Sequence, residues 1–184
     1  MRLALISDIH EDIIQLQLAL EKIRKLNCDE IVCLGDISGF SVPHYNYLDS
    51  RNARECLRLV RENCSFVIAG NHDLHVARRI PQQTSFNYPE NWYKLDFHQR
   101  AELAMEQVWL YEHEELSALY NHQDVQYLSD LPEYTVRNYN ERHILFAHFI
   151  YPNLTGSEQV FYFDAKDYVQ HQEFMFDCEA TLAF

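Results

Sequence analysis

Glycine is scarce in this chain, at four of 184 residues. Residues of this kind are expected only where the backbone must turn or pass close to another group. Basic residues are also few. Fifteen Lys and Arg stand against 28 Asp and Glu, a formal net charge of −13. Long nucleic acid is held mainly by neutralising its phosphates, so this balance argues against it as a partner. A small anionic substrate stays open if metal ions supply positive charge locally. No long apolar run is present. The longest, Ile144 to Tyr151, is broken by His148 and falls far short of the ~18 residues that span a bilayer. The N-terminus carries one basic residue, Arg2, and a short run cut off by Asp8, which is not a signal peptide. The five cysteines form no CxxC pair and are odd in number, so neither a disulfide framework nor a structural zinc site is expected. They read as reduced core residues of a cytoplasmic protein.

The chain does have apolar residues in plenty, 47%, and its length suits one domain, residues 1–184, with a sizeable core. No repeat, low-complexity tract or linker interrupts it. Leu3 to Ile6 reads as a strand buried on both faces. A helix is expected from about Asp12, with Ile13, Leu16, Leu20 and Ile23 as its apolar stripe. A second strand, Ile31–Leu34, precedes a helix that carries Ala53, Cys56, Leu57 and Val60 on one face, and Phe66–Ala69 forms a third strand. Strand, helix, strand at these lengths is a parallel βαβ unit. Its polar turns should therefore share one edge of the sheet. Residues 74–132 read as a helical insertion with helices at His98–Tyr111 and Gln123–Leu128. The first of these should turn Ala101, Ala104, Met105 and Val108 inward. Strands Tyr134–Arg137 and His143–Ala147, a helix near 165–174 and the start of an apolar strand over 180–184 complete the α/β reading.

Chemistry gathers at the strand ends. Asp8 and His10 are two apart, a spacing that points side chains the same way in an extended segment. Gly35-Asp36 ends the second strand, Gly70-Asn71-His72-Asp73 the third, and His148 follows the fifth. Gly35, Gly39 and Gly70 all sit in these turns, Gly70 being expected to permit a backbone conformation other residues resist. Asp8, His10, Asp36, Asn71 and His148 offer two carboxylates, two imidazoles and an amide oxygen. That set suits Mn, Fe, Zn, Co or Ni better than Ca or Mg alone. Asp36, in the middle turn, is placed to bridge two divalent transition-metal ions about 3.5–4 Å apart, the spacing of two-metal hydrolysis.

This ordered set, Asp8-Ile9-His10, Gly35-Asp36, Gly70-Asn71-His72-Asp73 and His148, resembles the calcineurin-like metallophosphoesterases, and most closely their small bacterial and archaeal phosphodiesterase branch. The resemblance runs the length of the chain. It implies two mixed β-sheets packed as a sandwich and flanked by helices, and hydrolysis of phosphomonoesters or phosphodiesters. It implies that Asp8 and His10 bind one metal, that Asp36 bridges, and that Asn71 and His148 bind the second. His72 would contact the substrate phosphate and protonate the leaving oxygen, Asp73 would orient its ring, and a metal-bridging hydroxide would attack phosphorus.

Two departures accompany the resemblance. Glu11 and Asp12 follow the DxH motif where the family often has glycine and asparagine, and both are expected to serve as helix caps. The family's last motif, Gly-His-x-His, is not in this sequence, which stops at Phe184 on what reads as the strand before it. The second sheet is therefore expected to be incomplete and to expose an edge that invites self-association. An impaired metal-binding or scaffold module of the same fold is the alternative to an enzyme. The remaining histidines read as surface or packing residues, with His44 and His75 nearest the site.

Overall fold

The computed structural model describes residues 1–184. Its elements run β1 (Leu3–Ile6), α1 (Ile13–Lys25), β2 (Glu30–Cys33), β3 (Phe40–Ser41), α2 (Ala53–Asn63), β4 (Phe66–Val67), α3 (Asn71–Ala77), α4 (Phe97–Ala104), β5 (Glu115–Leu116), α5 (His122–Asp130), β6 (Tyr134–Tyr139), β7 (Arg142–Ala147), α6 (Val169–Asp177) and β8 (Leu182–Ala183). β1, β2 and β4 pair in parallel with β2 in the middle. β7 pairs antiparallel with β6 and parallel with β8, so the second sheet is mixed. β3 and β5 form a separate antiparallel ribbon.

The apolar patterns explain the layers. One face of the first sheet and the stripes of α1 and α2 form the main core, in which Leu16, Leu20, Cys56, Leu57 and Val60 are buried. The other face meets the second sheet through Val32, Ile144 and Phe146, with Leu3, Leu5 and Phe66 packed around them. Phe174 of α6 packs on Tyr134 and stacks on Tyr151, covering the far side of the second sheet. The first two helices start where a side chain can satisfy their free amides: Asp12 Oδ1 accepts from Ile14 and Gln15 N–H, both at 3.1 Å, and Asn52 Oδ1 accepts from Glu55 N–H at 3.1 Å at the start of α2.

Residues 74–132 are less separate than a cap would be. Leu74, Leu128 and Leu131 belong to the main core, while Trp92, Ala104 and Val108 form a small cluster of their own. The expected helix 98–111 ends at Ala104, where Met105 takes a left-handed conformation at φ 43° and turns outward instead of inward. The strand expected over 66–69 closes after Val67, and Asn71 already opens a helix. All five cysteines are free, and no helix is long and apolar enough to cross a membrane.

Candidate metal centre

The loops after β1 and β2 are joined by main-chain bonds that continue past the strand ends. Ile9 and His10 N–H both donate to Asp36 O, at 2.8 and 3.0 Å, and Glu11 N–H donates to Ile37 O at 3.0 Å. Asp8, His10 and Asp36 hold left-handed backbone conformations, φ 54°, 45° and 54°, each unfavourable by about 1–2 kcal/mol for an L-residue. Strain of this kind persists only where the surroundings over-determine it. Asp8 and His10 thus do converge, with His10 Nε2 3.7 Å from Asp8 Oδ1, but across a left-handed turn rather than along an extended strand.

Gly70 also has a different role from the one its type suggests. It is extended, at φ −95° and ψ 179°, a conformation open to any residue. Its missing side chain is what matters, because a Cβ there would lie 2.1 Å from Asp36 Oδ1. Gly70 lets the third turn press against the carboxylate of the second, and His72 N–H donates to that same Oδ1 at 3.0 Å.

Asp73 does not orient His72. It is fully buried, and its carboxylate accepts N–H bonds from Asp36 at 2.8 Å, Ile37 and Ser38 at 3.1 Å, and Gly70 at 3.2 Å. It clamps the second turn to the third. The partner of His72 Nδ1 is Glu115, brought in by the β3–β5 ribbon in an ion-pair contact, and neither atom has a hydrogen-bond partner elsewhere. Glu11 likewise does not cap α1. It is buried, accepts Gly39 N–H at 3.1 Å and pairs with Arg51. Arg51 in turn donates to the carbonyls of Leu116 and Ser117 and so ties down the segment carrying Glu115.

Three donor atoms are turned toward the centre by bonds on the other side of their own side chains. His10 Nδ1 lies 2.9 Å from Gly39 O and His148 Nδ1 2.8 Å from Leu34 O. A carbonyl can only accept, so both Nδ1 atoms carry a proton and Nε2 is the ring atom each histidine turns to the centre, where His148 Nε2 stands 3.1 Å from Asp36 Oδ2. Asn71 Nδ2 donates to Tyr111 Oη at 2.6 Å, which turns Asn71 Oδ1 inward. A Cβ on Gly156 would stand 3.0 Å from that oxygen and 3.5 Å from His148 Cδ2, so the two residues face one space. Two groups result: Asp8, Asp36 and His148; and His10, Asp36 and His72. The donor atoms of each lie within 4.8 Å of one another. Asp36 belongs to both. The resemblance pairs Asp8 with His10, whereas the geometry sets Asp8 with His148.

Burial alone would raise the Asp36 carboxyl, but the His148 and His72 rings beside it hold it well below the usual carboxylate range. Burial works equally against charge on the two rings. The Asp36 carboxylate overcomes it, with Glu115 also acting on His72, and both rings are raised to about 9. Burial and the nearby Asp36 charge push Asp73 up to about 6, against the pull of its amide donors. The protein without metal therefore holds protons where cations would sit, which is the electrostatic mark of a cation site.

The site opens into a cleft of about 500 Å³. His44 stands at its edge, exposed, and His75 lies behind it against Tyr111 with ring centroids 4.9 Å apart. Sequence reasoning missed Glu115, Tyr111 and Gly156. Glu115 sits in the run Glu112-His113-Glu114-Glu115, which carries no local signal of burial.

A sequence profile described as calcineurin-like phosphoesterase matches residues 1–180. An uncharacterized protein of Methanocaldococcus jannaschii, MJ0912, is 39% identical over 75 residues, which is 40% of this chain and 27% of that protein. The crystal structure of hypothetical protein PH1004 from Pyrococcus horikoshii superposes with a TM-score of 0.57 at 22% identity, covering 95% of this chain and 65% of that one. A metallophosphoesterase from Sphaerobacter thermophilus gives 0.45 at 23% identity over 78% of this chain and 45% of that one. The chain thus spans less than two thirds of each of these relatives. With the profile extending over nearly every residue and the donor set at the strand ends, the chain belongs to the calcineurin-like phosphoesterase family.

Proposed function

We propose that this chain is a metal-dependent phosphoesterase acting on phosphomonoesters or phosphodiesters, with Asp36 bridging two divalent transition-metal ions. One observation carries the reading. His10, His148 and Asn71 each have their second polar atom engaged, so that Nε2, Nε2 and Oδ1 are the atoms left to face the centre. Asp8, His10, Asp36, Asn71 and His148 would hold the ions, and Asp73 keeps Asp36 in place by clamping its backbone. Bound there, the ions would supply positive charge to hold a phosphate and to activate a water nucleophile. His72 presents Nε2 3.9 Å from Asp36 Oδ2, at the edge of the centre. With Nδ1 held by Glu115, a protonated His72 is positioned to donate to a phosphate oxygen and to the departing alcohol.

The test loads the purified chain with manganese, counts ions by elemental analysis, and follows hydrolysis of a chromogenic phosphodiester and phosphomonoester. Two ions per chain are expected, and Asp36→Ala should lower the rate by about a hundredfold or more. An unchanged rate in that variant would place the activity elsewhere. Two ions with no turnover of either ester would leave a metal-binding module of the same fold.

A further inference from the structure

The cleft above the donor set has a wall that metal binding and proton transfer do not use. Two segments far apart in sequence build it. Val108 and Glu158 form a β-bridge, Trp109 N–H donates to Ser157 O at 3.0 Å, and Gln159 N–H donates to Gln107 O at 2.8 Å. This pairing sets Trp109 and the Val160-Phe161 step along the same cleft as Asp36 and His148. Trp109 is 42% exposed and Phe161 67% exposed. The other tryptophan, Trp92, is 3% exposed in a packed cluster. Trp109 thus leaves part of its indole exposed along the cleft into which the donor set opens.

Charge points the same way. The cleft lining contains no Lys or Arg, but does contain Glu114, Glu115 and Glu158 beside the donor carboxylates. Glu115 is paired with His72, and Glu158 accepts from Thr84 Oγ1 and Ser85 N–H. Two divalent ions against Asp8 and Asp36 leave positive charge that one phosphate neutralises. The one other cationic group the lining offers, protonated His72, already has its charge paired with Glu115.

We propose that the cleft selects a phosphoester with a single phosphate whose leaving alcohol carries a flat aromatic ring, held against Trp109 and Phe161, and turns away esters bearing a further anionic group. This rests on the phosphoesterase reading and adds the alcohol to it.

The experiment measures binding by calorimetry to the metal-loaded chain with three non-hydrolysable probes: phenylphosphonate, methylphosphonate and 4-phosphonobutyrate. An aromatic contact should make phenylphosphonate bind about tenfold more tightly than methylphosphonate, and 4-phosphonobutyrate should be the weakest. Trp109→Ala and Phe161→Ala should each shrink the phenyl preference severalfold, and Trp109→Phe should keep most of it. Equal affinity for phenyl and methyl probes overturns the aromatic selection. Binding of 4-phosphonobutyrate as tight as that of methylphosphonate overturns the charge selection. If no phosphonate binds and no ester is hydrolysed, the phosphoesterase reading falls and this inference with it.

Discussion

At the scale of the residue, the site is a matter of which atom of a side chain is left free. Tyr111 decides this for Asn71, because its hydroxyl accepts the amide N–H and leaves the oxygen facing His148. Tyr111→Phe should therefore weaken divalent-metal affinity by about tenfold while changing stability by about 1 kcal/mol; competition with a chelating dye reads the first and a urea melt the second. The histidines make a pH prediction. His72 and His148 are raised from 6.5 to about 9 in the protein without metal. Their contribution to stability is then fully present below pH 6.5, the unfolded value, and is lost as pH rises through about 9. Urea midpoints measured in chelator should fall across that window, and saturating metal, which requires a neutral His148, should remove the His148 share of the decline. The ligand-type residues were legible in the sequence because their chemistry is local. Glu115 and Tyr111 were not, because nothing in their own neighbourhood says that a ribbon folds them over His72 and Asn71.

At the scale of the element, the three turns work as one interlocked unit. The zipper between residues 8–11 and 35–37 joins the first two, and the Asp73 carboxylate, near the start of α3, joins the second to the third. Asp73→Asn replaces two acceptor oxygens with one oxygen and an NH₂ that faces amide donors. Leaving buried N–H groups without partners should cost roughly 3 kcal/mol, seen as a lower urea midpoint. Retained stability with a loss only of turnover would instead restore a role for Asp73 in orienting His72. The βαβ periodicity made α1, α2 and the parallel pairing of the strands readable in advance. The stripe Ala53, Cys56, Leu57 and Val60 is the buried face of α2. The helix expected over 98–111 misled for a tertiary reason. Gln107 to Trp109 pair with residues 157–159, and a helix through them would leave those bonds unmade.

At the scale of the molecule, the two sheets pack through Val32, Ile144 and Phe146, and this contact carries His148, just past β7, to the ends of β1 and β2. β8 pairs only with β7 and is an edge. Leu182 and Phe184 are 41% and 47% exposed along it, and Phe176 of α6 is 79% exposed. We propose that this chain self-associates across that edge. Light scattering should give a mass that rises with concentration, and a monodisperse monomer at every concentration would refute it.

The sequence by itself determined the donor chemistry, the parallel unit that delivers it to one sheet edge, and the family. Each of these follows from local residue types and from periodicities of two and of about four residues, which a linear chain displays directly. Tertiary structure alone decided that Gly70 gives room to a carboxylate, that Asp73 is a clamp, that Glu115 holds His72, and that Trp109 and Phe161 line one cleft. These are contacts between segments up to some fifty residues apart. They exist because the sheets and the two ribbons bring those segments together, and no single stretch of the chain encodes them.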